Sequence, residues 1–170
     1  MILKERDLEF NFTDAVDAIV FDEMKDKSAP NYHGIGLMHR VDFVVELEQG
    51  ILFVEVKDPS NPKAQPKQIK KFLREVDDGT LGKTLASKYL DTFIYRWAED
   101  KINKPVYYIN LITLDEELLG NLSDEIEALL PPMNHSVPRW QKKFVNNCQV
   151  FNIESWNENF PKWPVRRIEQ

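Results

Sequence analysis

Two apolar, β-branched runs set three residues apart constrain this chain more than any other feature. The first is Arg40-Val41-Asp42-Phe43-Val44-Val45-Glu46-Leu47. The second is Ile51-Leu52-Phe53-Val54-Glu55-Val56-Lys57-Asp58, and Glu48-Gln49-Gly50 joins them. The pattern predicts a β-hairpin with a Gly-containing turn. Strands this apolar are buried on both faces, and they carry charge only where it is paired, binds a metal or does chemistry. Asp42, Glu55 and Lys57 are the charges that interrupt them.

Register decides whether these three groups meet. A two-residue turn at Gln49-Gly50 sets Glu48 opposite Ile51, Asp42 opposite Lys57, and Val44 opposite Glu55. Facing residues share a sheet face, and Glu55 and Lys57 share one through the two-residue repeat. All three charges then converge, whereas a slip of one residue turns Asp42 to the other face. Two carboxylates on one face offer hard oxygen ligands suited to Mg²⁺ or Mn²⁺. Such an ion neutralises phosphodiester charge and acidifies bound water, and a nearby ammonium stabilises a developing anion. The competing reading is a structural Asp–Lys–Glu ion-pair ladder on a half-exposed sheet face.

With 170 residues, 42% of them hydrophobic, the chain suits one domain with its own core. We expect one unit over 1–170, with a core of about 12–114 and C-terminal helices, strand and aromatic tail over 122–170. The one cysteine, Cys148, allows no intrachain disulfide and fits a reducing cytoplasm. It lacks the Cys/His company of a zinc site. The charged start (Lys4, Glu5, Arg6, Asp7) has no signal-peptide core, and no apolar run suffices for a membrane span. A net charge of −6 argues against a strong nonspecific nucleic-acid binder, so any nucleic-acid surface must be local.

Thr13 is placed to cap a helix running to about Asp26, with Val16, Ile19, Val20 and Phe21 as its apolar residues. A polar loop covers 28–36. After the hairpin, Pro59-Ser60-Asn61-Pro62 ends the second strand. Helices are expected over 67–76, with Ile69, Phe72, Leu73 and Val76 inward, over 81–99 past a break at Asp78-Gly79, and over 122–130 before Pro131-Pro132. Strands are expected over 106–114 and 149–153. The order α, β, β, α, α, β, α, β predicts an α/β protein.

Asp42 and Glu55-Val56-Lys57, set in helix, hairpin and helix, resemble the PD-(D/E)XK nuclease superfamily over roughly the first half of the chain. Arg40-Val41 stands where that family often has a Pro before its Asp. The resemblance implies a central mixed β-sheet flanked by helices, the restriction-endonuclease-like fold. It implies Mg²⁺ (or Mn²⁺) held by Asp42, Glu55 and the Val56 backbone carbonyl, with Lys57 serving the attacking water. The activity so implied is phosphodiester hydrolysis on DNA, in preference to RNA. The alternative is a catalytically inactive module of the same fold serving in binding or assembly, and a homodimer is compatible with either. The helix before the hairpin often adds an acidic ligand in that family. Asp17 is the choice here, with Asp14, Asp22 and Glu23 as rivals, against a solvated acidic face. Gln68, four residues before Phe72, partly matches a Gln-x-x-x-Tyr pattern of some branches, and Gln65 is a second candidate.

Lys67, Lys70, Lys71 and Arg74 form a basic stripe at helical spacing, suited to a phosphate backbone or simply to solvent. His33, His39 and His135 are scattered, with His39 nearest the motif. Trp156, Phe160, Trp163 and Pro164, followed by Arg166 and Arg167, offer stacking surfaces for bases or a tail packed on the core or on a second subunit.

Overall fold

The structure is a computed structural model describing residues 1–24, 26–32, 34–131 and 138–168. The expected hairpin is present as β4 (Phe43–Glu46) and β5 (Ile51–Lys57). Its register lies two residues from the expected one. Phe43 faces Val54 and Glu46 faces Ile51. The Leu47 N–H donates to the Gly50 carbonyl at 2.8 Å, so Glu48-Gln49 make the turn. Gly50 belongs to the strand start instead, because a Cβ there would lie 2.8 Å from the Tyr107 ring and 3.2 Å from the Pro105 carbonyl. Asp42 therefore falls across from Glu55, not Lys57. A two-residue shift keeps every side chain on its face, so the convergence of charges survives the correction.

The expected helix over 13–26 is a strand, β3 (Asp17–Val20), paired antiparallel to β4. Val16, Ile19 and Val20 fit a helical spacing on paper. In the fold Ile19 packs into one core while Ala18 and Val20 pack into the other, a period of two, and Val16 is 54% exposed. A four-residue strand with only Ala18, Ile19 and Val20 as apolar residues does not separate the two periods, and pairing with β4 decides.

Downstream, α1 (Pro66–Asp77), α2 (Thr80–Ala98), β6 (Val106–Ile112), α4 (Leu122–Leu129) and β7 (Asn147–Phe151) follow the sequence reading closely. A short α3 (Glu116–Leu119) precedes α4. Gly79, at φ 72°, takes the left-handed turn between α1 and α2. The main sheet runs β3-β4-β5-β6-β7, antiparallel through β5 and parallel from β5 to β7. The protein is thus a mixed α/β fold with a five-stranded mixed sheet flanked by helices.

A second sheet, absent from the sequence reading, joins the two ends of the chain. β1 (Ile2–Glu5) and β2 (Leu8–Asn11) form a hairpin, and β8 (Val165–Arg167) pairs with β2 after α5 (Ile153–Asn159). The main sheet consequently has two cores. Phe53, Tyr108 and Ile112 meet Leu85, Tyr89 and Ile126 on the helical face. Phe43, Val54 and Leu111 meet Phe10, Phe12 and Trp156 on the other. The aromatic tail is part of that second core, with Trp156 between Phe10 and Phe160. Among the described residues no helix is long and apolar enough to cross a membrane.

Candidate active site

The hairpin stops being a hairpin at Asp42. Its last ladder pair is Phe43–Val54. Two residues earlier the Val41 N–H turns to the Thr92 hydroxyl on α2 at 3.0 Å. The Val56 N–H, left without a strand partner, donates to Asp42 Oδ2 at 2.6 Å. The side chain thus replaces a missing ladder carbonyl, and the sheet opens. Lys57 C=O accepts from Thr113 N–H on the β6 side. Carbonyls alternate edges along a strand, so the Val56 carbonyl points to the opened edge beside Asp42.

Glu55 lies on the α2 face of β5 and has no exposed surface. Its Oε1 accepts from Lys57 Nζ at 2.6 Å and from Lys88 Nζ at 2.7 Å. Its Oε2 is buried and meets no hydrogen-bond partner among the described residues. Two ammoniums crowd one oxygen while the other is bare. An uncompensated buried carboxylate oxygen is costly and calls for a cation or a proton donor.

Sequence reasoning missed Lys88. It was detectable: Leu81, Leu85, Lys88 and Thr92 recur at i, i+4, i+7 and i+11, one stripe of α2. Leu81, Leu85 and Thr92 are buried, and Lys88 is only 14% exposed. A lysine and a threonine inside an apolar stripe mark the place where α2 touches Glu55 and Val41.

A cavity of about 1400 Å³ opens beside this end of the sheet. Asp42, Lys57, Lys88, Asp22, Glu5 and Gln68 line it, together with Asp58 and Arg167. Glu55 is not among its lining residues and sits behind the two lysines. The charges thus share one sheet face, but only Asp42 of the two carboxylates lines the cavity.

Charge and burial reshape the titration of the site. Burial, then the Glu55 charge, push the Asp42 carboxyl up to about 7, with Lys88, Lys57 and the Val56 N–H only partly offsetting them. Burial works to lower Lys57, but the Glu55 charge and hydrogen bond outweigh it and leave its ammonium held above the ordinary lysine value. Glu5, brought in by the β1–β2 hairpin, is raised mainly by burial, and Glu55 adds repulsion against the lowering effect of Arg6.

Arg167 and Asn61 fasten the N-terminal wall, Asn61 by donating to Asp7 as well as to Asp58. Arg167 on β8 reaches Asp7 and Asp58 at 2.7 Å each. Thr113 and Asn61 also donate to Asp58. Burial alone would raise the Asp58 carboxyl, but these donors, Arg167 first, hold it below its ordinary value.

The remaining candidates separate cleanly. Asp17 is exposed, lies across from Glu46 at the turn end of the hairpin, and accepts from its own neighbour's Ala18 N–H. It is far from Asp42 because the expected helix is a strand. Asp14 accepts from the Trp163 indole N–H, and Glu23 from Asp26 N–H. Of the four, Asp22 alone reaches the cavity, paired to Arg40 at 2.9 Å. Gln68 lines the cavity too, but its Oε1 accepts from Gln65 N–H at the start of α1. Lys67, Lys70, Lys71 and Arg74 line a separate groove of about 670 Å³ on α1, and Lys71 also borders the main cavity. His39 is exposed and tied through its N–H to Asp91. His33 and His135 lie outside the described residues.

The donor set is chemically suited to a hard divalent ion: Asp42, the bare Oε2 of Glu55 and the Val56 carbonyl. It is a pair of carboxylates, since among the described residues no group of three His, Cys, Asp or Glu side chains is placed to hold a metal ion. Compared with known proteins, the chain matches no family model, no curated protein and no solved structure.

Proposed function

We propose that this protein is a Mg²⁺- or Mn²⁺-dependent phosphodiesterase acting on DNA, on a restriction-endonuclease-like framework. The observation that carries the reading is the meeting of Asp42, Glu55 and Lys57 where β4 leaves β5. A buried carboxylate oxygen, Glu55 Oε2, without a hydrogen-bond partner among the described residues lies at that point. The resemblance of these residues to the PD-(D/E)XK superfamily points the same way and favours DNA over RNA.

Asp42, Glu55 and the Val56 carbonyl would hold the ion. It would supply charge neutralisation at the phosphodiester and acidify the attacking water. The protein's own groups do the positioning. The Val56 N–H and the anchoring of Val41 by Thr92 fix Asp42 against the strand end. Lys57, with its proton held firmly, orients the nucleophile and stabilises negative charge as it develops. The basic face of α1 gives the polymer backbone a place to lie beside the cavity. The buried thiol of Cys148 suits a reducing cytoplasm.

One observation favours a second reading. Glu55 is fully buried and its charge is already met by two lysines. A catalytically inactive module would keep such a cluster as internal ion pairing. Cleavage assays on single-stranded, duplex and branched DNA, and on RNA, with Mg²⁺ and with Mn²⁺, decide between them. Metal-dependent cleavage that is lost in Asp42→Asn supports the enzyme. Intact nucleic acid under every condition rejects it.

A further inference from the structure

Lys88 and Lys57 bind the same oxygen of Glu55, yet they come from different elements. Lys57 is two residues from Glu55 on one strand and shares its face whatever else happens. Lys88 arrives from the middle of α2, is mostly buried, and lines the cavity. One carboxylate oxygen does not need two cations, and its neighbour Oε2 has no hydrogen-bond partner among the described residues.

We infer that Lys88 is the phosphate-binding cation of the site, parked on Glu55 until a phosphodiester draws it off. This rests on the proposed nuclease reading and assigns a role within it. While Lys88 sits on Glu55, its positive charge opposes a divalent cation at the same carboxylate. A non-bridging phosphate oxygen entering the cavity offers that ammonium an equally charged partner. Glu55 Oε1 also holds Lys57, so moving the flexible Lys88 ammonium to a phosphate costs Glu55 one of its two bonds to Oε1 and frees it for the metal. Substrate and metal then bind with mutual assistance, and by linkage each raises the affinity of the other.

The test uses the full chain, Mn²⁺ alone, and a short DNA duplex in EDTA. Lys88→Met keeps the stem and removes the charge, and Glu55 keeps Lys57, so the fold should persist in thermal melts. The variant should bind Mn²⁺ about tenfold more tightly than wild type and the duplex about tenfold more weakly, opposite signs set by one charge. Lys88→Gln should show the same pair of signs and serves if the methionine variant melts early. A purely structural lysine gives a different result: both affinities fall together, or neither moves beyond twofold, and either outcome overturns the inference. Failure of the underlying reading is separate. There, wild type and Asp42→Asn bind Mn²⁺ equally, showing that the metal does not use this site, and the inference falls with it.

Discussion

Asp42→Asn should stabilise the metal-free protein at alkaline pH and do little in acid. Asparagine keeps an oxygen for the Val56 N–H and cannot ionise. The Asp42 carboxyl is raised from 3.8 to about 7 in the folded protein by burial and by Glu55. Between those values the native state holds a proton that the unfolded chain has released. Native stability therefore falls as pH rises through this window and levels off above about 7. A rise of roughly 3 units at about 1.4 kcal/mol each sets the full penalty of the ionised form near 4 kcal/mol. About 2–3 kcal/mol of it falls between pH 5 and pH 8, since the unfolded chain is already largely ionised at pH 5. Urea denaturation of both proteins in EDTA at these two pH values reads it out. Glu5 shifts in the same direction, but it is common to both proteins and cancels in the difference. The variant's advantage should grow by that amount from pH 5 to pH 8. A difference that stays flat, or that favours wild type at pH 8, would mean that the two lysines hold Asp42 ionised and that this electrostatic account is wrong.

Glu55→Gln leaves two ammoniums without their carboxylate and should cost about 3 kcal/mol in denaturant melts; a cost below about 1 would mean that the buried pair is not a pair. Arg167→Met unties β8 from Asp7 and Asp58 and should lower stability by about 2 kcal/mol, with faster proteolysis near the N-terminus; unchanged proteolysis would show that strand pairing alone holds the small sheet. Gly50→Ala forces a methyl against the Tyr107 ring and the Pro105 carbonyl, and the melting temperature should drop by several degrees. A neutral result there would mean that the Tyr107 ring yields and that close approach does not require glycine at position 50.

The parts of the fold that were legible are those written in local patterns. α1, α2 and α4 carry helical apolar spacing, and β4, β5 and β6 are near-continuous β-branched and aromatic runs, with β7 a shorter one; Pro and Gly mark several of their ends. β3 was not legible because Val16, Ile19 and Val20 satisfy two spacings over too few residues. β1 and β8 are short and largely charged, and β8 finds its partner β2 from the opposite end of the chain, which no local signal announces. The site was legible in its strand residues because sheet faces follow parity, and parity survived a two-residue error in register. Lys88 and Glu5 come from α2 and from the small sheet, so the fold had to be known before they joined the site, although the polar break in the α2 stripe was visible. Asp17 was lost for the same reason that β3 was misread.

The central claim is that Lys57 serves chemistry and not architecture. The direct measurement is Mn²⁺-dependent cleavage by Lys57→Ala beside its melting curve. The account predicts cleavage reduced by about 10²–10³-fold, as when one electrostatic catalytic group is removed, with Mn²⁺ still bound and the melting temperature nearly kept because Lys88 still meets Glu55. Wild-type protein that cuts no nucleic acid, together with a Lys57→Ala variant that melts markedly lower, would contradict it and leave the cluster as an internal ion pair.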